Sequence, residues 1–367
     1  MIPLANLARQ HAELAAPLRA AIDEVFARGA FISGPFVERF ERAFSEQLGD
    51  PAARTIGVAN GTAAISLVLE ALGIGAGDEV IMPSHTFAAT AEAVRHVGAI
   101  PVFCDIETAS YTADAGSVAS LVSQRTRAVI PVHINGSPAD VDAIAAALPK
   151  QRRIAIVEDA AQAHLGTLRG RVLGTIGIAG TFSFYPAKNL GACGDAGAVV
   201  TLDAAVGERV AKLRDHGRMS KYEHDLVGYN QRMDGLQGAI LAMKLRHLRP
   251  WTARRRALVG AYDARLRPAG FKTIEPHAEG EAVYHLYVVE VSNRDEVQAA
   301  LAAKGIATGI HYPVPMHRQP AFRAWAKGSL PNTERIVSRI VSLPLCPYLS
   351  EIELEQVTEE FLKVARP

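Results

Sequence analysis

The chain has 367 residues, of which 49% are hydrophobic and 21% are charged, and its formal net charge is +1 at pH 7. This length and composition predict a large buried core that is divided between two domains. The near-neutral charge argues against a nucleic-acid-binding surface, and no apolar run is long enough to predict a membrane span.

The cysteine content and the first residues of the chain indicate the cellular compartment of the protein. Cys104, Cys193 and Cys346 are too few and too unevenly spaced to predict a disulfide framework or a zinc site. The first residues lack the basic region and apolar core of a secretory signal. We therefore expect a cytoplasmic protein without a structural metal.

An early glycine turn, Asn60-Gly61-Thr62, runs directly into an amphipathic stretch that predicts a helix. Free backbone N–H groups and the dipole at a helix start favour an anion, so this turn is a candidate phosphate site. The alternative is an ordinary helix start, because Asn60 or Thr62 would also serve as an N-cap.

Short apolar runs then alternate with helical stretches. The runs predicted as strands are Glu79–Met82, Pro101–Phe103, Ala128–Val132, Ile154–Val157, Thr181–Tyr185 and Ala198–Thr201. The helical stretches among them include Ala88–His96 and Ala139–Ala147. This alternation predicts an α/β fold with a mostly parallel sheet between two layers of helices.

Asp159 and Lys188 carry the predicted chemistry. Asp159 follows the strand Ile154–Val157, at the sheet edge where α/β folds bind ligands. Lys188 lies among aromatic and small residues, and partial desolvation there would lower its pKa and let the neutral amine attack a carbonyl. A lysine Schiff base combined with a carboxylate that keeps a pyridinium nitrogen protonated is the pairing that pyridoxal phosphate requires. Ser183, five residues before Lys188, could add a hydroxyl to the phosphate site.

The second half of the chain predicts a smaller α+β domain. A long amphipathic helix over Met233–Leu248 is predicted to end at Arg249-Pro250, which sets the boundary between domains 1–248 and 249–367. The elements predicted after it are a strand over Tyr284–Val291 and helices over Arg294–Lys304 and Ile352–Ala365. The triplet Arg254-Arg255-Arg256 is predicted to be a solvated helix face.

Further motifs occur in a fixed order along the whole chain. They are Gly34-Pro35, Ala59-Asn60-Gly61-Thr62, Pro83-Ser84-His85-Thr86-Phe87, Glu158-Asp159-Ala160-Ala161-Gln162, the Lys188 segment, Gly228-Tyr229-Asn230-Gln231-Arg232-Met233 and His311-Tyr312-Pro313. In this order they resemble the DegT/DnrJ/EryC1/StrS family of pyridoxal-phosphate-dependent sugar aminotransferases. The resemblance implies fold type I, with residues 1–248 as the large cofactor-binding domain.

The resemblance also implies roles at the cofactor. Lys188 would form the Schiff base and move the proton, Asp159 would pair with the pyridine nitrogen, and Gln162 would bind the ring hydroxyl. Its remaining cofactor contacts would be Gly61, Thr62 and Ser183 at the phosphate, His85 over the ring face, and Asn230 from the neighbouring subunit.

A site completed by Asn230 of a second subunit implies a homodimer, with an inactive monomer. Arg232 matches a position that reaches the partner's substrate, where a guanidinium could grip a phosphate or carboxylate. A structural salt bridge at the interface is the equally favoured alternative for Arg232.

The implied reaction is the transfer of an amino group from L-glutamate to C3 of a dTDP- or UDP-linked ketosugar. The segment Gly309–Phe322 resembles family members that act at C3, and His311 and Tyr312 would line the sugar side. His317 is a further substrate candidate, although a hydrogen-bonded loop histidine explains it as well.

Other functions stay open at this point. They are amination of a 4-ketosugar or a keto-cyclitol, a cofactor-dependent sugar dehydratase, and a non-enzymatic regulator that keeps the cofactor as a structural element. Lys188 argues against the dehydratases, which resemble this family but carry histidine at that position. A nicotinamide dehydrogenase would need a Gly-x-Gly-x-x-Gly turn after the first strand of a βαβ unit, and no such turn is found.

Overall fold

The computed structural model describes residues 1–367. Its helices are α1 (Leu7–Glu13), α2 (Ala15–Arg28), α3 (Pro35–Glu46), α4 (Gly61–Ala71), α5 (Ala88–His96), α6 (Ala115–Leu121), α7 (Val141–Ala147), α8 (Ala204–Leu213), α9 (Gly235–Leu245), α10 (Leu248–Leu266), α11 (Arg294–Ala303), α12 (Pro331–Arg339) and α13 (Glu351–Val364). Its strands are β1 (Arg54–Val58), β2 (Glu79–Pro83), β3 (Ile100–Cys104), β4 (Thr126–Val129), β5 (Ala155–Asp159), β6 (Thr167–Leu168), β7 (Arg171–Val172), β8 (Ala179–Ser183), β9 (Gly197–Thr201), β10 (Gly280–Glu281), β11 (Tyr287–Glu290) and β12 (Ile340–Leu343).

A seven-stranded sheet with the order β1-β9-β8-β5-β4-β2-β3 forms the centre of the larger part. Only β9 runs antiparallel to its neighbours, so the predicted mostly parallel sheet is confirmed. Strands β5 and β8 are adjacent and parallel, and Asp159 is paired with Thr181 in their register. The carboxyl ends of these two strands therefore bring Asp159 and Ser183 to the same edge of the sheet.

The neighbouring carboxylates Glu158 and Asp159 point to opposite faces of β5, as successive strand residues do. Glu158 is fully buried and accepts the backbone N–H groups of Gly174, Ile176 and Gly177 at 2.7–2.8 Å. Its Oε2 also lies 3.0 Å from Nε2 of His133. Glu158 therefore fixes the loop before β8, and only Asp159 is available to a ligand.

The C-terminal part has its own apolar core around the antiparallel pair β11 and β12. This core includes Tyr262, Val289 and Phe361, and it also takes in Ile2 from the start of the chain, which pairs with Ile306. The boundary at residue 248 stays a prediction, and the structure adds that the chain start packs with the C-terminal part.

Two predictions for the region around residue 250 were wrong. The helix predicted over Met233–Leu248 is α9, but it does not end at Arg249-Pro250. It ends at Leu245, and Pro250 lies in the first turn of α10, where a missing N–H costs no hydrogen bond. Arg255, predicted on a solvated face, is buried, and its Nη1 donates to the carbonyls of Tyr284, His285 and Leu345 at 3.1–3.3 Å.

None of the helices combines the length and the apolar character needed to cross a lipid bilayer.

Candidate active site

A cavity of about 900 Å³ opens at the carboxyl ends of β5 and β8, beside the start of α4. The structure brings together at this cavity most of the residues that the sequence singled out. Those that line it are Gly61, Thr62, Asp159, Gln162, Ser183, Lys188, His311 and Tyr312. Residues separated by more than 250 positions in the chain thus share one site.

Lys188 enters the cavity from a turn that follows β8, in which its backbone N–H donates to the carbonyl of Tyr185 at 2.8 Å. Enclosure by protein lowers the pKa of its ε-amine to about 8, and the nearby charge of Asp159 opposes this shift. Roughly a tenth of the amine is therefore neutral at pH 7, far more than for a solvated lysine, and the neutral form is the one that attacks an aldehyde.

We expect the ε-amine of Lys188 in cofactor-free protein to react with aldehydes at a rate that rises with pH to about 8 and then levels off. Reductive methylation with formaldehyde and cyanoborohydride, followed by peptide mass spectrometry, measures this profile, and exposed Lys221 in the same digest reports on the reagent. In Asp159→Asn the profile should move to lower pH, because the anion that favours the ammonium form is gone. A move to higher pH in that variant would contradict the assigned coupling.

Asp159 is held rigidly at the end of β5. Its Oδ2 accepts a hydrogen bond from Oγ1 of Thr90 at 2.9 Å, and its Oδ1 accepts from the backbone N–H of Ala161 at 3.1 Å. Oγ1 of Thr86 lies 2.9 Å from Oγ1 of Thr90 and donates to it in turn. Burial raises the pKa of Asp159, whereas these donors and the charge of Lys188 lower it. A cationic ring nitrogen placed beside this carboxylate would offset the cost of its burial.

The start of α4 provides an anion site. The side chain of Asn60 accepts from the N–H of Ala63 at 2.9 Å, which leaves the N–H groups of Gly61 and Thr62 without partners in the chain. A Cβ atom on Gly61 would lie 2.8 Å from Cβ of Ser183, so glycine is needed to bring Ser183 this close to the helix start. Two free N–H groups, a helix dipole and a hydroxyl fit a phosphate group.

Gln162 links three parts of the cavity wall. Its Oε1 accepts from the backbone N–H of Asn135 at 2.6 Å, and its Nε2 donates to the hydroxyl of Tyr312 at 3.3 Å. Burial raises the pKa of Tyr312 to about 12, so this phenol stays protonated and can donate. Cavity, lysine, carboxylate and anion site together fit pyridoxal phosphate, and the fit rests on this chain's own geometry.

The structure does not bring His85 to the cavity wall. His85 is buried, and its Nε2 donates to the carbonyl of His311 at 3.0 Å. Phe87, two residues later, lines the cavity instead, with its ring centroid 5.5 Å from that of Tyr312. Phe87 is therefore the aromatic side chain of this motif that faces the cavity, and the sequence analysis did not single it out although it belongs to the same motif.

His317 also lies away from the cavity. It is buried, its Nε2 donates to Oε1 of Glu334 at 2.9 Å, and its Nδ1 lies 2.7 Å from Oγ of Ser84. Both ring nitrogens are thus occupied inside the fold. This is the hydrogen-bonded loop histidine that the sequence left as the alternative to a substrate contact.

Asn230 and Arg232 do not line the cavity of their own chain. Arg232 donates to Oδ1 of Asp215 at 2.9 Å and to Oδ1 of Asn230 at 2.8 Å, and Asn230 is exposed. Within one chain these residues hold each other on the surface. Their predicted action in a partner's site stays a prediction.

Comparison with known proteins places the chain in a wider context. A family model described as the DegT/DnrJ/EryC1/StrS aminotransferase family matches residues 13–362. A dTDP-3-amino-3,4,6-trideoxy-α-D-glucose transaminase of Streptomyces venezuelae is 41% identical over 98% of this chain and 94% of its own length. A UDP-N-acetyl-3-dehydro-α-D-glucosamine 3-aminotransferase of Acidithiobacillus ferrooxidans is 38% identical over 97% and 96%. A pleiotropic regulatory protein of Geobacillus stearothermophilus is 39% identical over 100% and 99%.

Solved structures give the same result for the fold. The crystal structure of DesV from S. venezuelae superposes with a TM-score of 0.94 at 40% sequence identity, covering 99% of this chain and 98% of that chain. The similarity therefore includes both the larger part with its cavity and the C-terminal part.

Proposed function

The chain belongs to the DegT/DnrJ/EryC1/StrS aminotransferase family, and from this premise we propose that it transfers an amino group from L-glutamate to C3 of a dTDP- or UDP-linked ketosugar. As a member of this family it is a sugar aminotransferase that uses pyridoxal 5′-phosphate. The observation that carries the proposed chemistry is the placement of Lys188 and Asp159 in one cavity with a free anion site at the start of α4.

Each cavity residue has a separate task in this proposal. The N–H groups of Gly61 and Thr62 and the hydroxyl of Ser183 bind the cofactor phosphate, and Asp159 keeps a proton on the ring nitrogen. Pyridoxal phosphate, when bound, supplies an electron sink for the substrate carbon. The neutral Nζ of Lys188 accepts the proton from that carbon and returns it, as a general base and then a general acid.

The substrate proposal is supported by the relatives and by the cavity. The two transaminases named above act at C3 according to their names, on a dTDP-linked and a UDP-linked sugar. His311 and Tyr312 line the cavity, as expected for residues on the sugar side. The pKa of His311 is lowered to about 4, chiefly by burial, so its ring is neutral and suited to hydrogen bonds with hydroxyl groups.

We also propose that two copies form a homodimer with shared sites. Large apolar side chains are exposed on and around the segment that carries Asn230, namely Met219, Tyr222, Val227 and Tyr229. A second exposed group, Phe26, Phe31 and Ile32, lies close to the start of α9, where Ile32 pairs with Asp234. Exposed apolar groups of this kind mark protein contacts, and a second copy would bury them.

Two of the four alternative functions lose support and two stay open. A regulator is suggested only by the names of two relatives, a pleiotropic regulatory protein and a sensory transduction protein, whereas Lys188 in the cavity supports an enzyme. The same lysine argues against a dehydratase. A 4-ketosugar or a keto-cyclitol as substrate remains an alternative. For the location we propose the cytoplasm, in agreement with three free cysteines.

The proposal predicts turnover of a nucleotide-linked 3-ketosugar with L-glutamate. The purified protein, loaded with pyridoxal phosphate, is offered dTDP-linked 3-keto-6-deoxy and 4-keto-6-deoxy sugars and a keto-inositol, and the amino products are measured by mass spectrometry. We expect the 3-ketosugar to be preferred by about 10- to 100-fold, as the net contribution of one to three hydrogen bonds would give. Turnover of only the 4-ketosugar or only the keto-inositol would reject the C3 assignment.

A further inference from the structure

His285 lines the cavity, and the sequence analysis gave it no role. It lies just before β11, and its backbone is held on both sides. Its N–H donates to the carbonyl of Asn135 at 2.8 Å, and its carbonyl accepts from the buried guanidinium of Arg255 at 3.3 Å. The ring therefore has a fixed place in the cavity wall.

The hydrogen bonds of Asn189 determine which ring nitrogen of His285 carries the proton. Nδ2 of Asn189 donates to the carbonyl of Val283 at 3.0 Å, so its Oδ1 is the atom that faces Nδ1 of His285 at 3.3 Å. An amide oxygen can only accept, so Nδ1 carries the hydrogen. Burial, together with the charges of Lys188 and Arg255, holds the pKa of His285 well below its usual range. The neutral ring then has its lone pair on Nε2.

This lone pair is available to a ligand. Nε2 of His285 has no hydrogen-bond partner in the chain, and this atom is not buried. Because His285 lines the cavity, Nε2 is accessible from there. Asn189 directly follows Lys188, so the ring contacts the residue next to the reactive amine. The ring and the ε-amine of Lys188 line the same cavity, and the charge of Lys188 acts on the ring, so a group bound at Nε2 would share that cavity with the reacting carbon.

The chemistry of an acceptor-only nitrogen distinguishes between the two substrates. Glutamate has two carboxylates, which need donors, and its one donor group is the amine that reacts. A sugar has hydroxyl groups that can donate. A neutral acceptor thus fits the sugar, whereas it would repel the lone pairs of a carboxylate.

We propose that Nε2 of His285 accepts a hydrogen bond from a sugar hydroxyl on a carbon next to C3, which makes His285 a specificity-determining residue. The inference rests on the proposed function, because it takes a nucleotide-linked sugar as the ligand. The inference names the residue that would recognise a hydroxyl group on the carbon next to the reacting carbon.

The test compares His285→Phe, which keeps a planar ring without an acceptor, with His285→Gln, whose Oε1 can still accept. Calorimetry measures binding of dTDP-3-amino-3,6-dideoxy-α-D-galactose to the holoenzyme. The 4-deoxy counterpart, dTDP-3-amino-3,4,6-trideoxy-α-D-glucose, serves as the matched probe. We expect His285→Phe to weaken binding of the first probe by about 10- to 100-fold and His285→Gln to recover part of the loss. In His285→Phe, the factor by which binding of the first probe weakens should be at least about tenfold larger than the factor by which the rate with glutamate falls. The rate with glutamate is measured from the cofactor spectrum.

The matched probe identifies the hydroxyl. If His285→Phe loses less affinity for the 4-deoxy probe than for the first probe, the contact is assigned to the C4 hydroxyl. If it loses the same affinity for both, the contact is assigned to the C2 hydroxyl. Either result supports the proposal. Equal binding of the first probe by wild type and His285→Phe overturns it, as does an equal loss with glutamate. The UDP-linked forms of both probes are tested in parallel. A wild type that reacts with glutamate but binds neither probe in either nucleotide form rejects the substrate class, and the inference with it, while the aminotransferase assignment stands.

Discussion

Replacing Lys188 by alanine is expected to abolish transamination, with a loss of roughly 10⁴-fold or more. General acid–base catalysis alone contributes roughly 10²- to 10⁴-fold, and the variant also loses the amine that bonds to the cofactor. Lys188 is the lysine that lines the cavity, so no neighbouring lysine can replace it. The fold should be unaffected or slightly stabilised, because a poorly solvated cation is removed.

Absorbance spectroscopy and mass spectrometry measure this loss independently of turnover. Wild type with pyridoxal phosphate should show a visible band that L-glutamate converts to a near-ultraviolet band, and borohydride should attach the cofactor to the peptide that contains Lys188. Lys188→Ala should lack the attachment and the response. A second variant, Lys221→Ala on the surface, should match wild type in both measurements. Attachment at another lysine, with activity retained in Lys188→Ala, would refute the assignment.

Removing the carboxylate of Asp159 is expected to lower the rate by roughly 10²- to 10⁴-fold. Loss of one partner from a buried charge pair costs about 3–5 kcal/mol, and each 1.4 kcal/mol is a factor of ten in rate. Without Asp159 the ring nitrogen loses its proton, and the electron sink weakens. Stopped-flow absorbance of the glutamate half-reaction in Asp159→Ala measures this effect.

A permanently charged cofactor separates the electrostatic role of Asp159 from a structural one. Pyridoxal phosphate methylated at the ring nitrogen carries its positive charge without a proton, so it should restore part of the rate in Asp159→Ala and none in Lys188→Ala. Asp159→Asn keeps the shape that contacts Thr90 and Ala161, and it should be as slow as the alanine variant. Activity close to wild type in Asp159→Asn would show that the charge is not required.

The central strands could be predicted because they are continuous apolar runs, as expected for a sheet covered on both faces. The structure has strands at each of the six predicted runs, with ends displaced by up to three residues. β1 (Arg54–Val58) was missed, since it is short, begins with an exposed arginine and contains Gly57. Glycine is unfavourable in strands by propensity, and here the contact of Gly57 with Met233 and Val37 leaves little room for a side chain.

The central residues of the site could be predicted because each belongs to a short motif whose residues are close together in the sequence. Gly61, Asp159 and Lys188 lie at the ends of strands or at a helix start, and the fold brings such ends together. Thr90 could have been found from its place one turn into α5, which faces the same edge of the sheet. His285 gave no signal, because its role depends on Asn189, nearly a hundred positions away.

The misplaced residues share a physical cause. A motif states which residues lie near a site, but not which side chain faces it. His85 and Phe87 belong to one motif, and the bend before α5 turns only Phe87 towards the cavity. Arg255 was assigned to a solvated face because arginine is seldom buried, and three backbone carbonyls in the C-terminal part offset that tendency.

The pairing of Ile2 with Ile306 sets an order for folding during synthesis. The strands of the central sheet and their helices are complete when about two thirds of the chain has been made. Ile2 must wait for partners that end at Phe361. At roughly 5–20 residues per second, Ile306 is made roughly 15 s to a minute after Ile2, and Phe361 is made later still. Ile2 therefore stays unpaired during the interval in which the central sheet can already form.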